Sequence, residues 1–316
     1  MTYYLGIDTS CYTTSCTLLD ARGQIVGEQK KLLTVQTGKR GLRQSEMVFQ
    51  HTRALPNLIE SLGKIGDLAA IGVSAFPRRE DNSYMPAFLV GLGQARSLAH
   101  CLQVPLYQFS HQENHILSAL QEWGRIPENP FWALHISGGT TELLYCHWQP
   151  DIQSFSVKII GQADDLKAGQ FIDRIGVALN LPFPAGPHLE RLAKTAQDLH
   201  ALPVAVKRGH ISFGGPYSEA IRRLKRGEEP AILAKAVMEC ISQSVIKLLA
   251  LMQPQYPDCK ELIAVGGVLS NQALRQCLGQ WCQDNQMELH VASPYHSADN
   301  ALGNAYGAYY CNSQLL

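Results

Sequence analysis

The chain has no excess of either charge, since 27 Lys and Arg balance 27 Asp and Glu. No overall field therefore attracts nucleic acid, and RNA contact must come from local patches or from partner proteins. A repeated CxxC spacing is also missing. The nine cysteines are odd in number and scattered from Cys11 to Cys311, which argues against a disulfide framework or a zinc knuckle and for a reducing compartment. The close pairs Cys11/Cys16 and Cys277/Cys282 read as small buried residues. No run approaches the roughly 18 uninterrupted apolar residues of a membrane span. The opening MTYYLGIDTS has neither the basic flank nor the apolar stretch of a signal peptide. Low-complexity tracts, long like-charge runs and linkers are absent as well. These absences lead us to expect a soluble cytoplasmic protein with no membrane partner and closely apposed domains; they do not set its oligomeric state.

What the sequence does contain is a core. With 316 residues, 46% of them hydrophobic and 17% charged, the chain is long enough for two domains. Residues 3–33 read as strand, turn, strand, polar turn, strand. Residues 131–160 repeat that order: FWALHIS, the turn at Gly138-Gly139-Thr140, TELLYCHW, a turn near Pro150-Asp151, and SFSVKII. Helix-forming sequence follows each copy, so a duplicated α/β domain is expected. Actin-like ATPases and sugar kinases are built this way, with a nucleotide and metal cleft between the copies. Further expectations are helices at 46–63, 85–102, 167–180, 215–226 and 230–252, strands at AAIGVSA, VPLYQF and ELIAV, and a last helix from about Asp299. The domain expectation is 1–109 and 110–316, with the last helix, about 298–314, packing back on the first and the metal and nucleotide motifs in the second.

Five segments carry candidate chemistry. His111 and His115, in SHQENHILSAL, stand i, i+4; on a helix that leaves the imidazoles about 40° apart on one face, suited to gripping one metal ion, with two ordinary surface or interdomain histidines as the competing reading that HxxxH alone favours. The spacing argues against a zincin protease, because Gln112 occupies the position of its general base and Glu113 projects away from the histidine face. In HISGGTTEL, residues 135–143, a Gly-Gly turn exposes successive N–H groups to phosphate or carboxylate oxygens; a plain hairpin turn is the competing reading. Asp173, in AGQFIDRIG, lies on an expected helix where it could accept from ribose hydroxyls. Gly186, in LPFPAGP, suits a rigid turn beside an adenine ring. AVGGVLSNQALR runs from a strand through Gly266-Gly267 into a helix with Asn271 in its first turn; Asn271 as a simple N-cap competes. Asp299, in YHSADN, also reads as a cap.

The order GIDTSC, HxxxH, SGGTT, AGxxxDR with PxPxGP, GGVxxN and ADN resembles the TsaD family of tRNA threonylcarbamoyl transferases from Gly6 to Ala308. The resemblance implies transfer of a threonylcarbamoyl group from its adenylate to the N6 amine of an anticodon-loop adenosine in tRNA. It implies a divalent metal, iron or zinc with magnesium as a further candidate, held by His111, His115 and Asp299. It further implies an adenine nucleotide or acyl-adenylate held by Ile136, Ser137, Gly138, Gly139, Thr140, Asp173, Gly186, Gly266, Gly267 and Asn271. AMP is the leaving group, so no protein nucleophile is required; Asp8 is a minor catalytic candidate. Partners would be tRNA and the accessory subunits of the threonylcarbamoylation system.

Three segments depart from the family pattern. Tyr12 and Thr13 replace acidic residues of the first motif. AFPRREDNSYMP is larger and more charged than the usual glycine- and proline-rich loop, and ISFGGPYSEA replaces SFSG-Leu-Lys. Two alternatives follow, a carbamoyl transferase with a small-molecule acceptor and a nucleotide-binding scaffold with altered catalysis. Lys39-Arg40-Arg43, Arg78-Arg79 and Arg222-Arg223-Lys225-Arg226 are the candidate RNA-contacting clusters, with ordinary solvated charge as the competing reading.

Overall fold

The computed structural model describes residues 1–35 and 42–313, so Lys39 and Arg40 lie outside the described residues. The chain divides into two compact units: Met1–Ile126 with Trp148–Phe155 and Tyr295–Leu316, and Pro127–His147 with Ser156–Pro294.

The first unit opens with β1 (Thr2–Asp8), β2 (Thr13–Asp20) and β3 (Ile25–Leu32), an antiparallel meander. β2 is buried along nearly its whole length, whereas β3 is an edge strand carrying Lys30 and Lys31, a composition that discourages further strand pairing. Next come α1 (Gln44–Ser61), β4 (Asp67–Phe76), α2 (Phe88–Leu102), β5 (Leu106–Ser110) and α3 (His111–Trp123). The strand order is β3-β2-β1-β4-β5, with β4 parallel to both β1 and β5. Leu5, Ile7, Leu55 and Val73 lie in its core.

The second unit repeats the plan with β6 (Phe131–Ile136), β7 (Thr141–Gln149) and β8 (Ser154–Ala163). It continues with α4 (Ala168–Ala178), α5 (Gly186–Ala193), β9 (Ala205–Lys207), β10 (His210–Ser212), α6 (Gly214–Lys225), α7 (Pro230–Met252), β11 (Glu261–Val265), α8 (Gln272–Asp284) and β12 (Glu288–Val291). The order is β12-β11-β6-β7-β8-β10-β9. In each sheet the first meander strand pairs antiparallel with its successor on one side. On the other side it pairs parallel with a later strand, β1 with β4 and β6 with β11. That shared connectivity is the duplication seen in the sequence. Trp132, Phe171, Phe213 and the apolar length of α7 fill the second core.

The chain then passes α9 (Pro294–Ser297) and ends in α10 (Leu302–Ser313), which packs on β1, β4 and α3. The division after Ile126 corrects the expected boundary after residue 109. α3 stays with the first unit because Ile116, Leu117 and Leu120 are buried where it packs against α10, β4 and β5. Gly186 is also corrected: it opens α5, with Pro187 at the second helical position, instead of forming a free turn.

Candidate functional site

Helix α3 starts abruptly because Ser110 caps it. The Ser110 hydroxyl accepts from Glu113 N at 3.1 Å, and the Glu113 carboxylate accepts from Ser110 N at 2.6 Å, a reciprocal capping box. His111 is therefore the first helical residue, with His115 one turn along. His111 Nε2 lies 3.2 Å from His115 Nε2 and 3.7 Å from Asp299 Oδ1, and His115 Nε2 lies 3.4 Å from the same oxygen. The structure thus brings together the three residues expected to hold a metal. Each can offer one donor atom, all within 4.8 Å of one another. Cys11 adds a sulfur 3.8 Å from His111 Nε2.

Asp8, at the end of β1, does not stand free as a catalytic acid. It is fully buried, accepts from Ser10 N at 3.0 Å and Ser10 Oγ at 2.9 Å, and faces His111 Nδ1 across 3.7 Å. That nitrogen is buried without a hydrogen-bond partner. Burial, and then the charge of Asp299, pushes the Asp8 carboxyl up to about 7. Burial, and then the neighbouring His115, pushes His111 down to about 4, which keeps its imidazole in the neutral form that ligates metals. A buried carboxyl whose proton affinity is raised by a neighbouring carboxylate, beside a neutral imidazole and an orphaned ring nitrogen, forms a donor set that fits a divalent cation. Two imidazoles with one carboxylate favour iron or zinc over magnesium, which prefers oxygen ligands.

A second candidate site lies wholly in the second unit, a cavity of about 500 Å³. Of the residues expected to bind a nucleotide, Gly138, Asp173, Gly186, Gly267 and Asn271 line it. Sequence reasoning missed Phe183, Glu190 and Met238, which line it too. Glu190 sits one helical turn beyond Gly186 on α5, but no local pattern marks it. The cavity combines apolar walls, suited to a purine face, with carboxylates at Asp173 and Glu190 that can accept from ribose hydroxyls.

The remaining expected residues do other work. Ile136, Ser137, Gly139, Thr140 and Gly266 do not line the cavity. Ser137 Oγ already accepts from Gly139 N at 3.3 Å and Thr140 N at 3.1 Å, so these two N–H groups close a hairpin instead of facing a ligand. Gly266, at φ 114°, lets the chain leave β11 close to β6, where a Cβ would stand 2.2 Å from Ile136 O. Gly266-Gly267 leads into a single 3-10 turn before α8 rather than directly into that helix, and Asn271 caps α8 by accepting from Leu274 N at 2.9 Å. Asp173 accepts from Ala185 N at 3.0 Å, which steadies the loop before α5.

The departing segments are anchored. Tyr12 is 40% exposed and its hydroxyl accepts from Leu42 N, whereas Thr13 is buried at the start of β2. In the charged loop, Arg79 pairs with Glu113 at 3.1 Å, donates to Gln108 O at 2.9 Å and lies over the Phe76 ring. Ser212 Oγ donates to Asp165, which also receives Phe213 N and Gly214 N at the start of α6. Two cations proposed for RNA contact are therefore committed to the fold: Arg79 as above, and Arg223 to Glu219 and to the carbonyls of His200 and Ala201. Arg222 also pairs with Glu219.

Component A of (R)-2-hydroxyglutaryl-CoA dehydratase from Acidaminococcus fermentans superposes with a TM-score of 0.57 at 20% identity, covering 99% of this chain and 100% of its own. HypF from T. kodakarensis gives 0.64 at 15% identity over 99% of this chain and 48% of its own. A ROK hexokinase from Thermus thermophilus gives 0.54 at 13% identity, with 99% of each chain covered. The fold is that of the actin-like ATPases and sugar kinases. The family profile of TsaD, tRNA N6-adenosine threonylcarbamoyltransferase, matches residues 50–306, and the chain belongs to that family. Enzymes of that name from Chlorobium phaeobacteroides and Staphylococcus epidermidis are each 28% identical to it, over 94% of this chain and 88% of the first, and over 97% and 91% for the second. A probable bifunctional tRNA threonylcarbamoyladenosine biosynthesis protein from Methanothermobacter thermautotrophicus is 28% identical over 94% of this chain and 53% of its own length.

Proposed function

We propose that this protein transfers a threonylcarbamoyl group from threonylcarbamoyl-adenylate to the N6 amine of an anticodon-loop adenosine in tRNA, acting with accessory subunits of the threonylcarbamoylation system. The observation that carries the reading is the convergence of His111 Nε2, His115 Nε2 and Asp299 Oδ1. In the reaction the adenosine amine attacks the carbamoyl carbonyl carbon. A C–N bond forms, the bond from that carbon to the phosphate oxygen breaks, AMP leaves, and the amine proton passes to solvent. A divalent iron or zinc ion held by those three residues would supply Lewis-acid polarisation of the carbonyl and neutralise phosphate charge.

The chain's own groups contribute binding and orientation. The cavity bounded by Asp173, Glu190 and Asn271 would take the adenosine half of the acyl-adenylate, with Asp173 and Glu190 as acceptors for its ribose hydroxyls. His111 stays neutral at physiological pH and so keeps a lone pair for the ion. Asp8 lies across from His111 Nδ1 and can accept its proton-bearing side, the arrangement that fixes ring orientation in metal sites.

The test is a transfer assay with metal-loaded protein, freshly made threonylcarbamoyl-adenylate, unmodified tRNA and the accessory proteins, read by mass spectrometry of nucleosides. Modified adenosine above a His111→Ala control supports the reading. Failure on tRNA, with AMP release on adding a small amine or hydroxyl acceptor, would move the acceptor to a small molecule.

A further inference from the structure

The residue between the two histidines that faces away from them holds a geometry with no assigned role. Asn114 immediately precedes His115 and is buried. Its Nδ2 donates to the carbonyl of Asn300 at 2.7 Å, the residue immediately after Asp299. Its Oδ1 accepts from Asn304 N at 2.8 Å in the first turn of α10. The same Nδ2 reaches Asp8 Oδ2 at 3.4 Å. Asn304 in turn donates its side-chain amide to Ile7 O at 2.8 Å and Ser74 Oγ at 2.9 Å, tying the assembly to β1 and β4. The backbones meet here because residue 303 is glycine; a Cβ there would lie 1.9 Å from Asn114 O.

His115 and Asp299 are far apart in sequence, so neither helix periodicity nor a local turn fixes their separation. The Asn114 amide does so directly. Asn114 is covalently next to one candidate ligand, and its amide grips the backbone beyond the other, with its donor on the Asn300 carbonyl and its acceptor on Asn304 N. Metal–nitrogen and metal–oxygen bonds to such ions are about 2.0–2.2 Å long. A donor displaced by as little as about 1 Å is lost to the ion or replaced by water.

We propose that Asn114 is a positioning residue that sets the spacing of His115 and Asp299, and through it the affinity and coordination number of the cation. The inference rests on the metal reading of this cluster.

Co(II), titrated into the chelated full-length protein, tests it, because its visible bands report coordination number as well as binding. Two variants are compared with wild type. Asn114→Ala removes all three hydrogen bonds of the side-chain amide. Asn114→Asp keeps the shape and the acceptor for Asn304 N but sets oxygen against the Asn300 carbonyl. Circular dichroism of each metal-free variant confirms folding, and the near-isosteric Asp variant keeps the test open if the Ala variant does not fold. The expected result is binding weakened by about tenfold or more, the scale of one or two lost hydrogen bonds, with the visible bands weakening as water replaces a protein ligand. A folded Asn114→Asp protein with wild-type affinity and spectrum would overturn the inference while leaving the metal site standing. Wild-type protein that binds no Co(II), or a His115→Ala variant that binds it unchanged, would overturn the metal reading and this inference with it.

Discussion

His51 is a fully buried histidine on α1 outside the metal cluster, and its hydrogen bonds fix its tautomer. The Cys11 carbonyl, 3.1 Å from Nε2, can only accept, so Nε2 carries the proton and Nδ1 accepts from the Thr14 hydroxyl at 2.8 Å. Burial lowers its pKa below 6.5, partly offset by the bond to Cys11. Above that value the ring is neutral in both folded and unfolded chains, and its contribution to stability is complete. As pH falls below 6.5 the unfolded chain binds a proton that the folded one resists, so stability declines until the folded ring also titrates. Urea unfolding of metal-free protein between pH 7.5 and pH 5 should therefore show a steeper loss for wild type than for His51→Gln; equal slopes would contradict the assignment. At the metal cluster, His115→Ala should lose essentially all bound iron or zinc by elemental analysis while keeping its circular dichroism. Full occupancy in that variant would remove His115 from the site. In the second unit, Asp173→Ala should weaken binding of an adenine nucleotide about tenfold by calorimetry, through loss of a charged acceptor; unchanged affinity would show that Asp173 serves only to hold Ala185 N.

Among the elements, α3 does the most positioning. His111 and His115 face the cluster, Glu113 faces the charged loop, and Asn114 faces the start of α10, so successive residues of its first two turns each secure a different neighbour. Glu113 is wholly buried, and its carboxylate accepts from Arg79, Ser110 N and Ser154 Oγ. Removing the guanidinium would leave a buried carboxylate short of its cation. Arg79→Met should destabilise the protein by about 2 kcal/mol, below the range for fully buried pairs because Arg79 is 31% exposed. The shift in urea midpoint measures it, and a change within about 0.5 kcal/mol would show the pair to be as weak as an exposed surface pair.

The i, i+4 spacing of the histidines and the repeated strand-turn-strand order of β1, β2, β6 and β7 were legible in the sequence because they are local. Asp299 came only from resemblance to a family, since nothing local signals which distant carboxylate will reach a helix. α5 was missed because glycine and proline at its start read as a turn, although proline fits a first helical turn. β9 and β10 are three residues each, too short for a period to show. The engagement of Gly139 N and Thr140 N by Ser137 Oγ was also hidden, because a Gly-Gly turn looks alike whether its amides face a ligand or a serine.

At the scale of the whole molecule, two units with the same strand connectivity carry different chemistry. The first carries the cluster of His111, His115 and Asp299, and the second carries the cavity lined by Asp173, Glu190 and Asn271. The neutral net charge and the internal commitment of Arg79 and Arg223 leave fewer cations for any RNA contact than the sequence clusters suggest. Affinity for tRNA measured without accessory proteins should therefore fall only shallowly with salt; a steep slope would reveal a basic surface that these residues do not account for.

If His111, His115 and Asp299 hold an ion on which transfer depends, activity must follow metal occupancy. The most direct test is to strip the protein with chelator, restore iron or zinc in sub-stoichiometric steps, and measure modified adenosine in tRNA at each occupancy. Product should rise in proportion to bound metal and level at one ion per chain. Full activity in the stripped protein would contradict that dependence.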